Sequence, residues 1–155
     1  MMYQEVLITG GNGLVGRHLR EILHHPISPR RHIYDLLNQD EVRNMLEKYK
    51  PDIVVHLAAR VGGIVDNMTN PVDYYENNVL MNTNVLKACH EHNVDKVIAM
   101  GTSCSYPDVV ESYPMTEDAL FNGRPPYDNF SYAMSKRAMV THIDAYVKQY
   151  NKRWC

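Results

Sequence analysis

The feature that most constrains this chain is Gly10-Gly11-Asn12-Gly13-Leu14-Val15-Gly16, a stretch that holds half of the protein's eight glycines. The apolar run Val6-Leu7-Ile8 leads into it, and apolar residues at helical spacing follow from Leu14 to Leu23. A strand that ends in a glycine loop opening a helix is the βα unit of a dinucleotide-binding fold. Glycine suits a tight turn whose backbone must come close to a pyrophosphate. The helix N-terminus offers free N–H groups and partial positive charge to the phosphates. Gly10, Asn12, Gly13, Leu14, Val15 and Gly16 are therefore candidate cofactor residues, with Gly16 allowing the helix to pack closely. The plain alternative is a glycine turn that only tightens a βα junction.

The rest of the chain alternates in the same way. Asp52 to Leu57 and Val97 to Met100 read as buried strands that end near Ala58 and Gly101. Asn38 with Glu41 makes a capping-box-like start to a helix continued by Val42, Met45 and Leu46. A long helix runs from Pro71 to about His92, and another from Ser131 to about Tyr150. Residues 102–128 hold four of the eight prolines and read as a long loop. Strands alternating with helices predict an α/β fold: a doubly wound, mainly parallel, Rossmann-like sheet in one domain over residues 1–155. Ile27 to Tyr34, which contains Pro29, is a poor strand, and the pattern leaves its state open.

Composition narrows the class. With 16 Lys+Arg against 18 Asp+Glu and a net charge of −2, the chain lacks the electrostatic footprint for nucleic acid or an anionic membrane. Apolar residues make up 45%, ordinary for a globular domain. No apolar run approaches the ~18 residues of a spanning helix, and the start lacks the charged and apolar regions of a signal peptide. Cys89, Cys104 and Cys155 show no CxxC spacing, so the expectation is a reducing cytoplasm. Cys89-His90-Glu91-His92 is no metal site, because consecutive helical residues point about 100° apart. No metal is expected.

Asp35 lies ~20 residues beyond the loop, where an acidic residue meets the adenosine ribose of NAD. Arg30 and Arg31 precede it, and guanidinium groups there favour the 2′-phosphate of NADP instead. The two readings stay open, beside a third in which these are solvated loop charges. Tyr132 and Lys136, four apart, share a helix face. A neighbouring ammonium lowers a phenol from its unperturbed ~10, so that it can exchange a proton at a carbonyl or alcohol. Gly101-Thr102-Ser103-Cys104 sits just past a strand, where open α/β sheets place their ligands. Alone, a surface Tyr–Lys pair and a small buried cysteine are the plainer readings of Tyr132/Lys136 and Cys104.

Taken together, GGNGLVG (Gly10–Gly16), HLAARVGGI (His56–Ile64), NNVLMNTNVL (Asn77–Leu86), TSCSYP (Thr102–Pro107) and YAMSK (Tyr132–Lys136) resemble the extended short-chain dehydrogenase/reductase family. Within it they are most similar to the GDP-L-fucose synthases, over essentially the whole chain. The resemblance implies that Tyr132 is a general acid and that Lys136 is its partner and holds the nicotinamide ribose. It implies Thr102 as the catalytic hydroxyl and Cys104 as the cysteine of proton exchange during epimerisation. Leu57, Ala58 and Ala59 would lie along the cofactor, joined by Arg31, Asp35, Met100 and Gly101, while Asn78 helps order the site. The implied reaction takes a GDP-linked 4-keto-6-deoxy sugar through epimerisation at C3 and C5 and reduction at C4 by NADPH, with NAD not excluded. The resemblance also implies a further strand, a histidine partner for the cysteine and a small substrate domain beyond residue 155. The expectation is therefore a fragment or one half of a split enzyme, impaired in isolation. Residues 97–100 would form an open sheet edge. A homodimer through residues 71–92 and 129–150, or a complementing chain, would be its partner. Two other readings are a dinucleotide-binding module that lost substrate binding, and a different nucleotide-sugar epimerase or dehydratase.

Overall fold

Three short apolar segments, each of four residues, become the strands β1 (Val6–Thr9), β2 (Ile53–His56) and β3 (Lys96–Ala99) in a computed structural model that describes residues 5–110 and 112–155. They pair in parallel in the order β1-β2-β3, and the register sets Leu7, Val54 and Val97 side by side. All three are fully buried. Side chains alternate across a sheet, so these three share one face, and Ile8, Val55 and Ile98 share the other.

Among the described residues four α-helices lie between the strands, α1 (Leu14–Ile22), α2 (Gln39–Tyr49), α3 (Ile64–Thr69) and α4 (Pro71–Glu91), and α5 (Phe130–Tyr150) follows β3. Asn38 caps α2 as expected, accepting the N–H groups of Asp40 and Glu41 at 3.0 and 3.3 Å. The returning Glu41 carboxylate takes the Asp35 N–H at 2.5 Å, one turn further back than a capping box requires. Pro71 opens α4 at its first turn, where a missing N–H costs nothing.

Leu7, Val54 and Val97 form one core with Val42, Met45 and Leu46 of α2, Val85, Leu86 and Cys89 of α4, and Met139 and Ile143 of α5. Burial of each such side chain contributes ~1.5–3 kcal/mol. Right-handed crossovers explain the layering. From β1 the chain steps outward to Ile27, then returns past β1 to β2 and β3. The reversal of direction puts α1 on one face and α2, α4 and α5 on the other.

The structure resolves the open reading of Ile27–Tyr34. Ile27 makes a single parallel bridge to Leu7, through Ile8 N–H to Ile27 O and Ile27 N–H to Val6 O, both 2.8 Å, and no strand follows. Pro29 lacks the N–H a ladder would need. The expected open edge at residues 97–100 needs correction: Cys155 donates to Val97 O at 2.9 Å and accepts from Ala99 N–H at 2.7 Å. α3 was not legible in the sequence, because its six residues are too few to show a period. Among the described residues no helix is long and apolar enough to cross a membrane.

Candidate active site

The reversal of strand order falls between β1 and β2, and open α/β sheets bind ligands in the crevice at such a point. A cleft of about 490 Å³ lies there. Gly10 begins its floor at φ +71°, a left-handed conformation, and a Cβ on it would lie 2.7 Å from the Ala58 nitrogen. A Cβ on Gly16 would lie 2.5 Å from the Gly11 Cα. The loop is thus folded tightly on itself and on the end of β2, with Gly13 as the N-cap of α1.

Of the sequence-derived cofactor residues, Gly10, Asn12, Gly13, Arg31, Asp35, Leu57, Ala58 and Ala59 line this cleft. Leu14 and Val15 instead face outward, 69% and 44% exposed. Gly16 is buried behind the loop. Asn78 is also behind the wall: its side chain accepts the Arg60 N–H at 2.8 Å and donates to Arg60 O at 3.0 Å, clamping that loop by its backbone. Met100, Gly101 and Lys136 stand outside the cleft lining, on the side of β3 and α5. Sequence reasoning missed Thr9, Tyr34, Arg60, Asn77 and Met81, which also line the cleft. Asn77 and Met81 lie one helical turn apart on α4, a spacing that marks a shared face but not which cavity that face meets.

The second group forms where the segment after β3 meets α5. Thr102 caps a short 3-10 turn, Ser103–Ser105, by accepting the Cys104 N–H at 3.2 Å. Thr102, Cys104 and Tyr132 come together: the Tyr132 phenol is pushed above its ordinary value by burial first and by Cys104 second, while a hydrogen bond with the Thr102 side chain pulls it back. The Tyr132 ring meets the buried Tyr74 edge-on, with centroids 6.5 Å apart at 90°. The Tyr74 hydroxyl donates to Asp66 of α3.

Lys136 is almost fully buried, and its Nζ donates to Met100 O at 2.8 Å. Burial drops its pKa to about 8. This corrects the expectation that Lys136 lowers the Tyr132 phenol. The two share a helix face, but burial disfavours the charged form of both, and the ammonium is committed to a backbone carbonyl. Arg137, also missed, fastens the proline-rich loop: its Nε donates to Ser105 O at 2.7 Å and its Nη2 to Gly123 O at 2.8 Å. An arginine in a helix ordinarily reads as a solvated position, so nothing in the sequence marked it. His56, at the end of β2, is fully buried with both ring nitrogens hydrogen-bonded, a strand residue near the cleft and no general base.

Among the described residues no group of three His, Cys, Asp or Glu side chains could hold a metal ion.

Comparison with known proteins places the chain among its relatives. The chain is 36% identical over 157 residues to a probable GDP-L-fucose synthase of Drosophila melanogaster, covering 96% of this chain and 48% of that protein. To a GDP-L-fucose synthase of Dictyostelium discoideum it is 37% identical over 152 residues, covering 94% and 47%. A crystal structure of a GDP-L-fucose synthetase from Naegleria fowleri bound to NADP superposes with a TM-score of 0.86 at 32% identity, covering 99% of this chain and 48% of that one. The chain thus spans about half the length of the relatives it matches. The model of the NAD dependent epimerase/dehydratase family matches residues 6–155. With the strand-end cleft and the Thr102–Cys104–Tyr132 group in its structure, the chain belongs to the NAD dependent epimerase/dehydratase family.

Proposed function

We propose that this chain supplies the dinucleotide-binding part of an NADP(H)-dependent epimerase/reductase that converts a GDP-linked 4-keto-6-deoxymannose to GDP-L-fucose. The observation that carries the reading is the joining of two sites at the strand ends: a glycine-floored cleft after β1 and β2, and a hydroxyl–thiol–phenol group after β3. The residues fit a dinucleotide: the loop has no side chain where Gly10 passes Ala58, and the first turn of α1 offers unpaired N–H groups. Gly10, Asn12 and Gly13 would hold the pyrophosphate, and Leu57, Ala58 and Ala59 would flank the ligand beyond it. Bound reduced nicotinamide would supply the hydride.

The chain's own residues would handle the protons. The Thr102 hydroxyl would hydrogen-bond the C4 oxygen of the sugar, and Tyr132 Oη would give its proton to that oxygen as C4 is reduced. A phenol raised by burial keeps its proton at neutral pH, which suits a donor. In the preceding epimerisation a base would take the proton from the carbon next to the 4-keto group, and the Cys104 thiol would return one to the opposite face of that carbon. Lys136, through Met100 O, would hold the end of β3 against α5.

Arg30 and Arg31 line the cleft, and the Asp35 carboxylate accepts the Leu37 N–H at 3.1 Å. That arrangement supports NADP over NAD: a carboxylate turned to its own backbone is less available to a ribose, and the guanidinium groups suit a 2′-phosphate. A second copy or a complementing chain would cover the exposed Val72, Tyr75 and Leu80 of α4, and the protein would act in the cytoplasm.

Titration of the chain with NADPH and NADH, followed by nicotinamide fluorescence, tests the cleft; no binding of either at millimolar cofactor overturns the reading. Tyr132→Phe tests the chemistry. In the complete enzyme it should abolish hydride transfer to the keto sugar and leave NADPH affinity within about twofold of wild type. Loss of both together would make the tyrosine structural.

A further inference from the structure

Behind the cleft, a line of buried polar groups runs from its wall to α4. The Ala58 N–H donates to Thr9 Oγ1 at 3.4 Å, Thr9 Oγ1 lies 2.7 Å from His56 Nδ1, and His56 Nε2 lies 2.9 Å from Asn82 Oδ1. Thr9, His56 and Asn82 are 3%, 0% and 3% exposed.

The donors can be assigned in order. Asn82 Oδ1 can only accept, so His56 Nε2 carries a hydrogen. The imidazole is neutral, since burial drops its pKa to about 4, and its Nδ1 must then accept. Thr9 Oγ1 gives its hydrogen to Nδ1, and its lone pairs face the Ala58 amide. One tautomer of one ring satisfies the line from the Ala58 amide to Asn82 Oδ1, while Asn82 Nδ2 beyond it is buried without a partner. This line ends where the cleft walls touch, because the Gly10 backbone passes the Ala58 amide with no room for a Cβ.

We propose that His56 is a positioning residue of the cleft: its neutral Nε2–H tautomer, held between Thr9 and Asn82, fixes the Ala58 amide against Gly10 and so sets the width of the dinucleotide site. His56 also reaches the other half of the site through its backbone. Its carbonyl accepts the Met100 N–H at 3.1 Å, and Met100 O holds Lys136. The same residue thus registers the wall of the cleft and the end of β3 that anchors α5. The inference rests on the dinucleotide reading of the cleft only for its functional consequence, not for the tautomer.

The test uses the whole chain. Thr9→Val keeps the shape and removes the hydroxyl, leaving the Ala58 N–H and His56 Nδ1 unpaired. NADPH binding should weaken about tenfold or more, and Thr9→Ser should restore it to within about twofold. In wild-type protein, 15N NMR of the imidazoles should show His56 with its hydrogen on Nε2 and an accepting Nδ1, with or without cofactor. A His56 hydrogen on Nδ1, a charged ring, or a Thr9→Val variant that binds NADPH as tightly as wild type overturns the proposal. Should Thr9→Val fail to fold, Thr9→Ser and the tautomer decide it. Should wild type bind no dinucleotide, the cofactor reading fails and the tautomer alone upholds or overturns the relay.

Discussion

Lys136 shows how far the fold can bend the chemistry of one side chain. Its ammonium is enclosed between α5 and the end of β3, and desolvation moves its pKa from 10.5 to about 8. The unfolded chain keeps that proton up to 10.5, so between pH 8 and 10.5 it binds more protons than the folded one. Stability from this residue is therefore fully present above 10.5 and is lost as pH falls through 8. Lys136→Met removes the titration. The stability difference between wild type and variant, from urea unfolding at a series of pH values, should shift by roughly 3 kcal/mol across the window in favour of wild type at high pH. A difference constant with pH would mean that Lys136 titrates normally. The Tyr132–Lys136 spacing was legible at this scale; the sign of the tyrosine's shift was not. Spacing places two groups on one face, whereas their charge depends on how much water the surrounding elements leave them.

Among the elements, α5 does most to assemble the second site. It brings Tyr132 to Thr102 and Cys104, buries Lys136, and through Arg137 ties down the loop that the sequence left without structure. Arg137→Met keeps the length of the stem and deletes both hydrogen bonds, leaving the Ser105 and Gly123 carbonyls without their donor. The expected cost is ~1–3 kcal/mol, and hydrogen exchange should accelerate across residues 103–124 while β1 and β2 keep their protection. Exchange that rises evenly over the whole chain would show that Arg137 supports the core and not the loop. The start of α2 and both bounds of α4 and α5 were readable to within a residue or two, since Asn38, Pro71 and long apolar periods declare them. α3 and the single Ile27 bridge were not, because they exist through contacts with other elements and carry no period of their own.

Over the whole molecule, one core under a three-stranded sheet carries the stability, and its far end is closed by Trp154. That indole is 5% exposed, packs on Tyr146 with centroids 4.9 Å apart, and donates to Val94 O at 3.4 Å. The next residue, Cys155, pairs through its backbone with Val97 and Ala99 of β3. Trp154→Ala should cost ~3–5 kcal/mol in urea unfolding, a large share of the ~5–15 kcal/mol that stabilises a typical domain. A cost below ~1 kcal/mol would mean that the core ends before residue 154.

The alternation of strands and long helices, the parallel sheet and the glycine floor were determined by the sequence alone, together with part of the cleft lining. Glycine placement, apolar periodicity and helix caps act over a few neighbouring residues and leave their mark in the order of the chain. Which of those residues face the cleft, which stand behind it, and which groups gain or lose protons was decided only in three dimensions. Solvent exclusion and hydrogen-bond partnership join residues as far apart as Thr9, His56 and Asn82, and no local pattern records such meetings.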